Sequence, residues 1–102
     1  MIILPEAEGD IDETAAFYEE QEPGLGTEVY RFRRGEIDTL STTAGIHRKR
    51  GRFRAMVVLG RFPYFIVMYR KSEQAAEVCA VIDARRDLEW NAQWNAQLLT
   101  GR

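Results

Sequence analysis

The chemistry available to this chain is concentrated in Arg48-Lys49-Arg50-Gly51-Arg52-Phe53-Arg54, five cations and one aromatic ring in seven residues, with His47 directly before them. Guanidinium forks match the spacing of phosphate oxygens and an interleaved Phe53 can stack on a base, so the run suits an anionic partner such as nucleic acid. A basic run leading into an edge strand is equally a device against unwanted strand pairing, and both readings stand. Arg54 differs from the rest because the start of a strand fixes it better than a loop would. A second basic element, Arg85-Arg86, follows the last apolar run, with Asp83 just upstream. Asp83 can pair with an arginine and orient it, serve as a general base, or lie on the surface. His47 is an acid or base candidate, or a surface residue or local hydrogen-bond partner. No Ser-His-Asp spacing, phosphate-cradling glycine loop or catalytic metal motif is present in the sequence.

Charge is segregated along the chain although its net value is only −2. Residues 1–30 hold nine carboxylates and no Arg or Lys; residues 31–71 hold eleven cations against Glu36 and Asp38. A nearly neutral molecule can therefore present one strongly positive face, or fold so that its acidic and basic halves neutralise each other. With 102 residues, 45% apolar, the chain is expected to form one domain spanning 1–102 around one core. Cys79 is the sole cysteine and His47 the sole histidine. Structural zinc is thereby disfavoured, no cofactor is implied, and Val78-Cys79-Ala80-Val81 reads as a buried strand with an inert thiol. No run approaches the roughly 20 apolar residues of a membrane span, and the opening Met1–Leu4 is too short for a signal peptide, so the cytoplasm is the expected location and no membrane partner is expected.

The elements that must position these groups follow from hydrophobic period and punctuation. Met1–Leu4 is a candidate first strand closed by Pro5. Ile11, Ala15 and Tyr18 then recur at helical spacing with Thr14 beside them, and the carboxylates of the opening turns suit the positive end of a helix dipole. Pro23-Gly24 breaks this helix. A second follows with Leu25, Val29, Phe32, Ile37 and Leu40 as its apolar face, Arg31, Arg33 and Arg34 elsewhere on its surface, and Gly45 as the residue just past its end. Gly35 weakens the case that this helix is unbroken. Two helices joined by so short a break fold back as a hairpin. Phe53–Leu59, Tyr64–Tyr69 and Val78–Ala84 are rich in β-formers and read as a three-stranded antiparallel meander. Asp87 can cap a last helix from Leu88, with Trp90, Trp94 and Leu98 on one face. The first two of those strands carry more apolar surface than one sheet face can hide, so either the last helix covers the excess or a partner does.

Four segments carry a resemblance: Ala7-Glu8-Gly9-Asp10-Ile11, the stretch from Phe17 through Glu22-Pro23-Gly24-Leu25 to Gly26, Phe62-Pro63-Tyr64, and the stretch from Ala80 through Ile82-Asp83-Ala84-Arg85-Arg86 to Asp87. Together, in this order and spacing, the sequence resembles the ParE/RelE toxin superfamily of plasmid-stabilisation and toxin–antitoxin proteins. That resemblance implies an α+β fold: a short N-terminal strand, a helical hairpin, an antiparallel β-sheet and a C-terminal helix. It also implies a cognate antitoxin as partner. RelE-like members cleave messenger RNA on the ribosome with basic and aromatic side chains, whereas ParE-like members inhibit DNA gyrase without that set. The stretch Tyr18–Gly26 and the spacing from Arg54 to Tyr64 look more like the ParE branch. Phe65, Met56 and Val58 stand where a RelE-like nuclease commonly carries an arginine and two lysines. Asp83 and Leu88 stand where such proteins often have His and Pro.

The resemblance thus implies a toxin that acts by binding gyrase, with Arg54, Arg61, Tyr64, Arg85, Arg86 and Trp90 as target-contacting residues. If the chain is instead a RelE-like endoribonuclease, Arg86 and Arg54 are its candidate catalytic groups. A third reading is a binding or structural member of the superfamily without toxic action.

Overall fold

The computed structural model describes residues 1–60, 64–73 and 75–83, with Arg50 described by its backbone alone. The described elements run β1 (Ile2–Ile3), α1 (Pro5–Gln21), α2 (Leu25–Asp38), α3 (Leu40–Thr43), β2 (Arg48–Arg50), β3 (Phe53–Val58), β4 (Phe65–Lys71) and β5 (Ala76–Asp83). Pro5, expected to end the first strand, also opens α1, where its missing N–H costs nothing and its fixed φ suits the first helical turn.

The five strands form one sheet in the order β1-β5-β4-β3-β2. β2 through β5 are antiparallel to their neighbours, but β1 pairs parallel with β5 through Ile2 with Glu77 and Ile3 with Val78. The expectation of a three-stranded antiparallel sheet closed by a C-terminal helix is therefore corrected to a five-stranded mixed sheet, with β5 as the last described element. The helix expected from Leu88 lies outside the described residues. Two signals explain the difference. β1 is too short for its pairing direction to be written in its residues, and the cations of β2 read as loop when strand propensity is judged by side chain alone.

The helical hairpin packs on one face of the sheet. Ala7 and Ile11 of α1, Ile37 of α2 and Leu40 of α3 meet Met56, Val58, Phe65, Val67, Tyr69, Val78 and Val81 in one buried cluster. On the opposite face Phe53, Ala55, Ile66, Met68, Ala80 and Ile82 form a second buried cluster, so β3, β4 and β5 carry apolar residues on both sides. A register shift between Met68 and Tyr69 places the extra residue, Cys79, on β5. Cys79 is accordingly half-buried beside the second cluster instead of fully enclosed, and burial raises its thiol pKa.

The hairpin is closed by one carboxylate. Glu19 accepts hydrogen bonds from Gly24 N–H, at 2.9 Å from Oε2, and from Gly26 N–H, at 3.0 Å from Oε1. It so satisfies the opening N–H groups of α2, which its cap residue Gly24 cannot serve. At Gly26 the two helices approach so closely that a Cβ would lie 2.4 Å from the Ala15 carbonyl oxygen. β1 is only two residues long, and Asp10 of α1 continues its work by accepting the Val81 N–H of β5 at 2.9 Å. The second helix ends at Asp38, and Thr39 separates it from the short α3. Gly45, at φ 104°, takes the left-handed conformation that follows α3, as its residue type predicts.

Candidate functional site

Two polar clusters are built into the helix-facing side of the sheet. The first is structural. Arg33, expected on the surface of α2, is instead 1% exposed and paired with Asp83, itself fully buried at the end of β5. Tyr18 of α1 donates to Asp83 Oδ2 at 3.1 Å. The guanidinium Nε and Nη1 are buried without hydrogen-bond partners among the described residues, and the Phe65 ring lies 4.5 Å from Cζ, a cation–π contact that offsets part of their cost. Of the roles open to Asp83, this geometry supports pairing with an arginine. The arginine is Arg33, fifty residues upstream, which no local spacing indicates.

The second cluster lies where α3 turns into β2. Gly45 N–H donates to the Tyr69 hydroxyl at 3.0 Å, and that oxygen is 2.5 Å from His47 Nδ1. Arg54 Nη1 donates to the His47 carbonyl at 2.9 Å. Lys49, Arg54 and Tyr69 are direct cross-strand partners on β2, β3 and β4, so the three side chains leave the same face of the sheet. Burial, and then the neighbouring Arg54 charge, hold the His47 pKa below the usual imidazole value. The array therefore combines an imidazole, a buried phenol, a guanidinium held by a backbone carbonyl and the exposed Lys49 beside it. It can bind and polarise an anion, and among the described residues no group of His, Cys, Asp and Glu is arranged to hold a metal ion.

Of the residues expected to contact a target, Arg54 is half-buried within this cluster and Tyr64 is 43% exposed just before β4. The two do not meet: Arg54 pairs with Tyr69 at the other end of β4, about 17 Å along the strand from Tyr64. Tyr64 instead shares its end of the β3–β4 pair with exposed Val57 and Leu59. Arg61, Arg85, Arg86 and Trp90 lie outside the described residues. The positions compared with nuclease cations, Met56, Val58 and Phe65, are buried in the core beneath the helices. Tyr69 is the functional candidate that sequence reading passes over, whereas Lys49 belongs to the basic run singled out from the sequence. A tyrosine at an inward-facing strand position was the available signal, because its hydroxyl needs a partner that Phe would not.

No family model matches the chain, and no curated protein matches it. Among the described residues no helix is long and apolar enough to cross a membrane.

Proposed function

We propose that the chain is the toxin component of a type II toxin–antitoxin pair, of the ParE-like kind, acting in the cytoplasm by binding DNA gyrase and held in check by a cognate antitoxin. The resemblance of Ala7–Ile11, Phe17–Gly26, Phe62–Tyr64 and Ala80–Asp87 to that superfamily motivates the reading. The observation that carries its choice of binding over cutting is the burial of Met56, Val58 and Phe65, at 6%, 7% and 1% exposure, under the helical hairpin. Those positions supply packing and offer no cation to a scissile phosphate. Exposed Tyr64, with Val57 and Leu59 beside it, favours a contact surface for a protein target.

The test is a paired assay on the purified chain: supercoiling by gyrase, and cleavage of messenger RNA in a translating extract. Inhibited supercoiling with intact message is the expected result. Codon-dependent cuts that disappear in Arg86→Ala would overturn it in favour of the endoribonuclease. A short upstream reading frame whose product relieves growth inhibition is expected as well, and its absence together with harmless expression would favour the non-toxic reading.

A further inference from the structure

The hydrogen-bond pattern around Tyr69 fixes the state of His47. Tyr69 is fully buried, and its oxygen already accepts the Gly45 N–H. A buried hydroxyl must also place its proton, and among the described residues His47 Nδ1, at 2.5 Å, is the acceptor in reach. Tyr69 therefore donates to Nδ1, and the imidazole carries its own proton on Nε2, the nitrogen on the far side of the ring. His47 is only half-buried. It stands as an oriented N–H donor.

Two cations stand beside this donor in an arrangement that is unfavourable on its own. Lys49 and Arg54 are directly opposite each other across β2 and β3, and like charges at such positions repel. Arg54 spends one of its five N–H groups on the His47 carbonyl, which fixes the guanidinium against the residue that carries the imidazole. The sequence offers no carboxylate to relieve the pair locally: residues 39–72 contain no Asp or Glu. The carboxylates Glu8, Glu77 and Asp83 are engaged with Arg34, Arg70 and Arg33.

We infer that His47 Nε2–H, Arg54 and Lys49 form a binding site for a phosphate oxyanion, held in register by the buried Tyr69. An imidazole N–H, a planar guanidinium and an ammonium together offer more donors than a carboxylate's two oxygens can share, which suits an anion with several charged oxygens. Occupation would relieve the repulsion between Lys49 and Arg54. This site is independent of the gyrase reading, since it concerns a ligand of the isolated chain.

His47 being the sole histidine, nitrogen-correlated NMR of the imidazole reads the site without overlap. At neutral pH the Nε2–H tautomer is expected. Titration with inorganic phosphate should shift the imidazole nitrogens saturably, while sodium chloride at matched ionic strength should not. Lys49→Gln, at an exposed position, and Arg54→Gln should each weaken the apparent affinity at least about fivefold, with unchanged dispersion of the remaining spectrum for the lysine variant. A dinucleotide titrated in parallel distinguishes the source: saturation at lower concentration than inorganic phosphate assigns the site to a phosphodiester, the reverse to free phosphate. An Nδ1–H tautomer, shifts reproduced by chloride, or undiminished phosphate binding in Lys49→Gln would each overturn the assignment.

Discussion

At the scale of single residues, the most consequential group is a charge that the sequence hides. Arg33 sits among Arg31 and Arg34 in a run that looks like a solvated helix surface, yet it is enclosed with Asp83, Tyr18 and Phe65. Removing one partner of a buried pair strands the other charge, so Asp83→Asn is expected to lower the unfolding free energy by about 3–5 kcal/mol in urea denaturation. The double replacement Arg33→Met with Asp83→Leu should recover most of that loss, since apolar groups of similar volume substitute well for buried ions. A double variant no more stable than Asp83→Asn would deny the pair its structural role. His47 makes a second prediction at this scale. Its folded pKa is lowered, so below the ordinary value of about 6.5 the unfolded chain binds more protons than the folded one. Its contribution to stability is complete above that value and declines as pH falls toward the folded pKa. The NMR titration midpoint should lie below that of a model imidazole and move part of the way back in Arg54→Gln; a midpoint at or above the model value contradicts the geometry.

Elements were legible where period and punctuation agree. The break at Pro23-Gly24, the inward face Ile11, Thr14 and Tyr18, and the three long strands follow from residue types within a few positions of where they occur. What the sequence conceals depends on pairing between distant segments. Neither the parallel docking of β1 on β5 nor the conversion of Arg48–Arg50 into an edge strand is encoded locally, because a strand of two or three residues acquires its structure from its neighbour. The candidate site divides the same way: the cations of β2 and β3 were visible, and their union with Tyr69 required β4 to lie alongside. Two glycines test the helical hairpin. Gly26→Ala pushes a Cβ into the Ala15 carbonyl and is expected to cost about 1–3 kcal/mol, whereas Gly35→Ala, exposed and with nothing within 4 Å of the added methyl, should gain about 1 kcal/mol from helix propensity. Chemical denaturation of both variants separates close helix packing from a general preference for alanine. Equal gains in the two would mean the helices are free to move apart.

At the scale of the whole molecule, Glu8 of the acidic first segment pairs with Arg34 of the basic middle segment across the helical hairpin. The basic run of residues 48–54 has no carboxylate near it in sequence, residues 39–72 holding neither Asp nor Glu, so a ligand approaching β2 would feel its field. The pairing of β1 with β5 acts on a different axis, that of time. A chain leaves the ribosome from its N-terminus, yet Ile2 and Ile3 find their partners only at Glu77 and Val78, and buried Arg33 waits for Asp83. Vectorial synthesis thus presents α1 and α2 in the open, with their apolar faces and an unpaired guanidinium, until almost all of the described strands have emerged. Folding is expected to be a late, abrupt event, visible as one force peak when arrested nascent chains of increasing length are compared, at the length that brings residue 83 clear of the exit tunnel. A peak at the end of α2 would instead give the helical hairpin a life of its own. Until that late moment the cell holds an adhesive intermediate, so the abundance of this protein should respond more to translation speed and chaperone supply than its finished stability would suggest.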